Sequence, residues 1–128
     1  MITTPNQKYQ QLSVQTASPA QLTLMLFDGA IRFSKLGVQA LEERNLEKSN
    51  LYLLKAQKII NELLASLNRE YPISDNLAVI YEYMLHNLIN GNIKKNAKPV
   101  EETIGHLLEL RESWLHVVKT SNQESQTS

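Results

Sequence analysis

The run from Ser18 to Glu43, SPAQLTLMLFDGAIRFSKLGVQALEE, decides the fold. Ser18 offers a hydroxyl N-cap, Pro19 suits the first helical position, and Gln21 stands where a capping box needs its reciprocal side chain, so a helix is expected to start at Pro19. At about 100° per residue, Leu22, Leu26, Gly29, Phe33, Leu36 and Ala40 fall on one stripe, which is expected to face a helical core. Leu24, Phe27, Ile31 and Val38 form a second stripe roughly opposite, and Asp28, Arg32, Lys35 and Gln39 fill the narrow polar strip left over. A helix in a simple four-helix bundle needs only one apolar face. Two readings stay open: the helix is central, with neighbours on both sides, or the second stripe lines a groove. That groove could be covered by a partner or by the chain's own head, where Tyr9, Leu12 and Val14 are the apolar residues.

Downstream, Arg44-Asn45 breaks the apolar pattern, and Asn45 can cap a second helix from Leu46 to about Asn68. Tyr71-Pro72-Ile73 interrupts, Ser74 or Asp75 can cap a third helix to about Lys94, and Pro99 suits the first turn of a fourth ending near Thr120. Residues Ser121 to Ser128 carry no apolar side chain and are expected to be disordered. Asn90-Gly91 is a hairpin dipeptide, yet Leu77, Ile80, Met84, Leu88 and Gly91 keep a three-to-four spacing through it, so Gly91 reads as a close-packing site inside a helix. Four helices of similar length with short connections imply an all-α, antiparallel up-down four-helix bundle over residues 18–120, preceded by an N-terminal cap segment (1–17) and followed by a disordered tail (121–128).

Apolar residues also spread beyond the core stripes of the other helices. Leu51 and Leu54 project toward the polar side of the second helix. In the fourth, Thr103, Leu107, Leu110, Trp114 and Val117 share one face, which Ile104, Leu108 and Leu115 widen. Such arcs point toward a binding module, because burying an exposed Leu or Phe is worth roughly 1.5–3 kcal/mol and an open apolar groove captures amphipathic segments.

Composition narrows the function classes. The 128 residues, 42% of them hydrophobic, hold one domain with one modest core. Thirteen basic residues balance thirteen acidic ones, so the surplus of cations that a nucleic-acid binder needs is missing. Without cysteine there is no disulfide framework and no thiolate nucleophile or zinc ligand, which fits a reducing cytosol. Met1 to Lys8 lack the apolar stretch of a signal peptide, and no run approaches the roughly 18 apolar residues of a membrane span. The expectation is a soluble cytoplasmic protein without membrane insertion.

Catalysis has little to stand on. Glu82 and His86, Glu102 and His106, and Glu112 and His116 are spaced as surface ion pairs, unlike the inward Glu-x-x-His motifs of di-iron bundles. Phosphate loops, dinucleotide glycine patterns, zinc-protease motifs and nucleophile elbows are all missing from the sequence. No enzyme activity, metal or cofactor is expected.

Several ordered motifs resemble the flagellin export chaperone family, FliS. They are Val14-Gln15-Thr16-Ala17-Ser18-Pro19 followed by Met25-Leu26-Phe27-Asp28-Gly29-Ala30; Lys55-Ala56-Gln57-Lys58-Ile59-Ile60; Ile80-Tyr81-Glu82-Tyr83-Met84; Gly91-Asn92; and Leu110-Arg111-Glu112-Ser113-Trp114. The chain departs from the family pattern at Glu70-Tyr71-Pro72-Ile73, where a glycine-rich turn is frequent. The resemblance implies a small bundle that binds the disordered C-terminal segment of flagellin in the bacterial cytosol, blocks its premature polymerisation and keeps it competent for type III export. Implied partners are that segment, the flagellar export gate and other flagellar assembly proteins, and the wide apolar arcs also allow a homodimer when free. An adaptor or regulator of another flagellar or anti-sigma-type protein is the alternative. Tyr9 matches the family's N-terminal tyrosine, which implies a movable cap over part of the groove. Asp28, Asn68, Asn76, Tyr81, Asn92 and Arg111 match polar positions of the pattern and are expected to serve as caps and interhelix hydrogen bonds. The candidate partner-binding residues are Tyr9, Leu12, Val14, Leu24, Phe27, Ile31, Val38, Leu51, Leu54, Leu108 and Leu115.

Overall fold

The computed structural model describes the backbone of residues 18–127 and the side chains of residues 18–120. It contains four helices, α1 (Pro19–Glu42), α2 (Leu46–Ala65), α3 (Ile73–Lys94) and α4 (Ala97–Thr127). The capping box forms as expected: Ser18 Oγ accepts from Gln21 N at 3.2 Å, and Gln21 Oε1 accepts from Ser18 N at 2.9 Å. At the other end Arg44 adopts φ 56°, while Asn45 N donates to Ala40 O at 2.8 Å and Arg44 N to Leu41 O at 3.1 Å. These are the paired bonds of a Schellman stop, here built on an arginine instead of the usual glycine. Asn45 then caps α2 by accepting from Lys48 N at 3.0 Å.

The start of α3 and the end of α4 differ from expectation. Ser74 and Asp75 lie inside the first turn of α3, and Pro72 occupies the cap position with helical angles and no capping side chain. Ser74 Oγ turns back to donate to Tyr71 O at 2.7 Å, and Asp75 pairs with Arg69 at 3.1 Å, so neither side chain is free to cap. Helix α2 stops at Ala65 instead of about Asn68, with Ser66 Oγ bonded to Leu63 O at 2.9 Å. Helix α4 runs through the polar stretch expected to be disordered, as far as Thr127. That stretch holds neither glycine nor proline, so nothing in it stops a helix.

Each helix packs antiparallel on its sequence neighbour, and α4 returns to α1, closing a four-membered ring. Gly91 keeps the helical path expected of it. A Cβ there would stand 2.7 Å from Val100 Cγ2 and 3.0 Å from the Asn96 carbonyl oxygen, so the α3–α4 turn folds back directly over a bare backbone. Gly37 does the same for α1 and α2, since a Cβ would meet Leu53 at 2.5 Å.

The core gathers Phe27, Ile31, Leu53, Ile60, Leu63, Tyr81, Met84, Leu88, Val100 and Leu107. Around α1 its centre lies between the two predicted stripes: Phe27, Ala30, Ile31, Ser34, Gly37 and Ala40 are the buried positions. Small side chains at Ala30, Ser34 and Gly37 let the other helices come close, and each apolar stripe then flanks this inner face. The first stripe meets α2, where Phe33 stacks on Tyr52 at 6.3 Å and Gly29 faces Ile59. Helix α1 thus has neighbours on both sides, α2 against the first stripe and α4 against the second, while Leu24 and Val38 of the second stripe stay half-buried.

Ser34 Oγ is fully buried and has no hydrogen-bond partner among the described residues. Ser34→Ala removes an unpaired hydroxyl and improves helix propensity, so it is expected to raise stability by about 1 kcal/mol. A urea titration in which the variant is less stable than the parent would show that the hydroxyl has a partner.

Candidate functional site

What matters for binding is the apolar surface that the four helices leave uncovered. Two contacts fix the register of the α1–α4 seam: Arg111 pairs with Asp28, and Trp114 Nε1 donates to Ala20 O at 2.9 Å. Leu24 is one turn before Asp28 and Leu115 one turn after Arg111, so antiparallel running brings these two leucines level. Ile31 and Leu108, a turn away on the other side of the ion pair, are level likewise. Leu108 is 45% exposed, whereas Leu24, Val38 and Leu115 are half-buried. The Asp28–Arg111 pair spans the seam at the surface, where such a bridge contributes about 0–1 kcal/mol.

The predicted site residues separate into groups. Leu24, Val38, Leu108 and Leu115 belong to the α1–α4 side. Phe27 and Ile31 were expected on an open stripe and are core residues instead, 0% and 8% exposed. The Phe27 ring sits 6.1 Å from Trp114, edge to face, and 6.3 Å from Tyr81; such packing leaves no face of it for a partner. Leu51 and Leu54 are 48% and 49% exposed on the outside of α2 and are not brought to the seam. Tyr9, Leu12 and Val14, with the expected cap segment, lie outside the described residues.

Two further apolar surfaces escaped the sequence reading. A cavity of about 340 Å³ lies at the end of the bundle where α1 begins, with Pro19, Leu67, Tyr71, Leu77 and Trp114 in its wall. Another, of about 450 Å³, lies between α3 and α4 and is lined by Val79, Ile80, Tyr83, His106, Glu109, Leu110 and Ser113. Ile80 shares the three-to-four spacing of Leu77, Met84 and Leu88, yet it is 37% exposed. The available signal was the pair Val79 and Tyr83, one turn apart and off the core stripe.

Of the six polar positions, Asp28, Arg111 and Asn92 tie helices together, whereas Asn68 Oδ1 accepts locally from Glu70 N at 3.0 Å. Asn92 Nδ2 donates to Asn50 Oδ1 at 3.0 Å, and Lys95 Nζ donates to Asn92 Oδ1 at 2.7 Å, linking α3 to α2. Of the three Glu–His pairs, Glu102 and His106 approach to 3.5 Å. Glu102 also accepts from Tyr83 Oη at 2.7 Å. Among the described residues, no group of three or more His, Cys, Asp or Glu side chains could hold a metal ion, and no helix is long and apolar enough to cross a membrane.

Burial pushes the Tyr81 hydroxyl up from 10.0 to about 12. Between these values the folded chain keeps a proton that the unfolded chain has released, so stability falls as pH rises through this window, by at most about 1.4 kcal/mol per pH unit. Tyr81→Phe is expected to flatten that alkaline slope in pH-dependent urea titrations; an unchanged slope would assign it to another group.

Comparison with known proteins identifies the family of the chain. The family model described as "Flagellar protein FliS" matches residues 1–121. A flagellar secretion chaperone FliS of Bacillus subtilis strain 168 is 37% identical over 96% of this chain and 92% of its own length. Its counterpart in Salmonella typhimurium is 38% identical, covering 91% of this chain and 93% of its own. The Escherichia coli K12 protein of the same name is 30% identical over 84% and 85%. With a match this long, and with relatives aligned over nearly their whole length, the chain belongs to the FliS family of flagellar proteins.

Proposed function

We propose that this protein is a flagellar secretion chaperone that binds the disordered C-terminal segment of flagellin in the bacterial cytosol and holds it unpolymerised until export through the type III apparatus. The observation that carries this reading is the apolar surface left after the bundle has closed, above all the leucines of the α1–α4 seam. A disordered client whose own apolar stripes later pack helix on helix would cover that surface as it folds. Ordering it costs about 2–5 kcal/mol. Burying the exposed part of the leucines, less than half of each, recovers up to about 1 kcal/mol at each, taking roughly 1.5–3 kcal/mol for complete burial. No nucleotide is needed for such a step, and release can follow from delivery to the export gate. In this reading Leu51 and Leu54 hold a client that continues around α2, and Tyr9, Leu12 and Val14 form a cap that yields to it.

Titration with the C-terminal fragment of a flagellin, followed by circular dichroism, tests the proposal. The mixture is expected to show more helix than the sum of its components, saturating at one fragment per chain. Additive spectra at micromolar concentrations would contradict it.

A further inference from the structure

The α3–α4 groove lies on a different flank of the molecule. His106, Leu110 and Ser113 follow one another at single-turn spacing along the α3-facing side of α4, whereas Leu108 and Leu115 face toward α1. A ligand in the groove and a client on the seam would therefore use different faces of α4. The groove's walls are built: Tyr83 is held through its hydroxyl by Glu102 at 2.7 Å, and its ring meets His106 edge to face at 6.0 Å. Val79, 67% exposed, and Tyr83, 47% exposed, form its outer apolar edge. From His106 to Ser113 the floor is about 10 Å long at 1.5 Å per residue, two helical turns.

Charge selects the occupant. Glu109 lines the groove, Glu102 stands at its Tyr83 end, and the lining contains no lysine or arginine. A second copy docking groove to groove would set acidic lip against acidic lip, since a two-fold interface pairs each patch with itself. We propose that this groove is a docking site for an amphipathic helix of a second protein, with apolar residues at i, i+4 and i+7 and lysine or arginine on its flanks. Such a helix fills the apolar floor along about two turns and pairs its cations with the two glutamates. The site is separate from the client-binding seam and does not depend on the identity of the client.

Three model peptides of one length, carrying leucine at i, i+4 and i+7 and flanked by lysine, glutamine or glutamate, test this by fluorescence anisotropy on the full chain. The lysine-flanked peptide is expected to bind at least tenfold tighter than the glutamate-flanked one, with the difference shrinking in high salt. Val79→Ser with Glu109→Gln, both at exposed positions, should weaken it tenfold or more, and Leu108→Ser should leave it unchanged. Equal binding of all three peptides, or indifference to the Val79 and Glu109 substitutions, would overturn the proposal. So would a dimer that dissociates on Val79→Ser, because the groove would then be occupied by a second copy. The same double variant should bind the flagellin fragment as the parent does; an equal loss there would give the groove to the client and remove the second partner, leaving the chaperone reading intact.

Discussion

Phe27→Ala is expected to lower unfolding stability by about 3–5 kcal/mol, a large share of the roughly 5–15 kcal/mol that a domain has in total. Phe27 is 0% exposed at the point where α1 meets α3 and α4, with Tyr81 tilted against its ring and Trp114 edge-on. Truncation removes both aromatic contacts, each worth about 0.5–1.5 kcal/mol beyond area burial, and leaves a void that packed helices close only in part. Had Phe27 stood on an open stripe, the same substitution would change stability by less than about 0.5 kcal/mol and would act on client affinity instead. A urea midpoint shift equivalent to less than 1 kcal/mol would therefore return Phe27 to the surface. If the variant does not fold, Phe27→Leu gives the same answer on a smaller scale.

The sequence was most readable where one residue type has one geometric use. Ser18-Pro19-Ala20-Gln21 and Asn45 predicted two helix starts, and Gly91 predicted a close approach that the Asn96 carbonyl then makes. The interior of α1 was less readable. Ala30, Ser34 and Gly37 carry little apolar signal, so the stripes on either side of them read as two separate faces, although together they surround one buried centre. The same blind spot put Phe27 and Ile31 on a docking surface. The start of α3 was missed because Pro72 supplies helical angles without a capping side chain, while Ser74 bonds backward to Tyr71. At the site, Leu108 and Leu115 were legible as a widened arc on one helix. That they stand level with Ile31 and Leu24 was not, because that alignment is set by Asp28–Arg111 and Trp114–Ala20, contacts between residues more than 80 positions apart.

The other large effect concerns the seam. Leu24 and Leu108 are incompletely buried in the free chain, so a client that covers them gains what the bundle itself leaves unused. Full burial of a leucine is worth roughly 1.5–3 kcal/mol, and with Leu108 45% exposed and Leu24 less so, the share still available at these two positions together is about 1–2 kcal/mol. At 1.4 kcal/mol per decade, that is roughly five- to thirtyfold in affinity. Leu24→Ala with Leu108→Ser deletes this share while keeping the core aromatics, and its urea midpoint serves as the control for folding. Calorimetric titration of the parent and of this double variant with a flagellin C-terminal fragment measures the effect directly. A folded variant that binds roughly five- to thirtyfold weaker, at unchanged stoichiometry, is the predicted result. Equal affinity for the two chains would contradict capture by the α1–α4 seam.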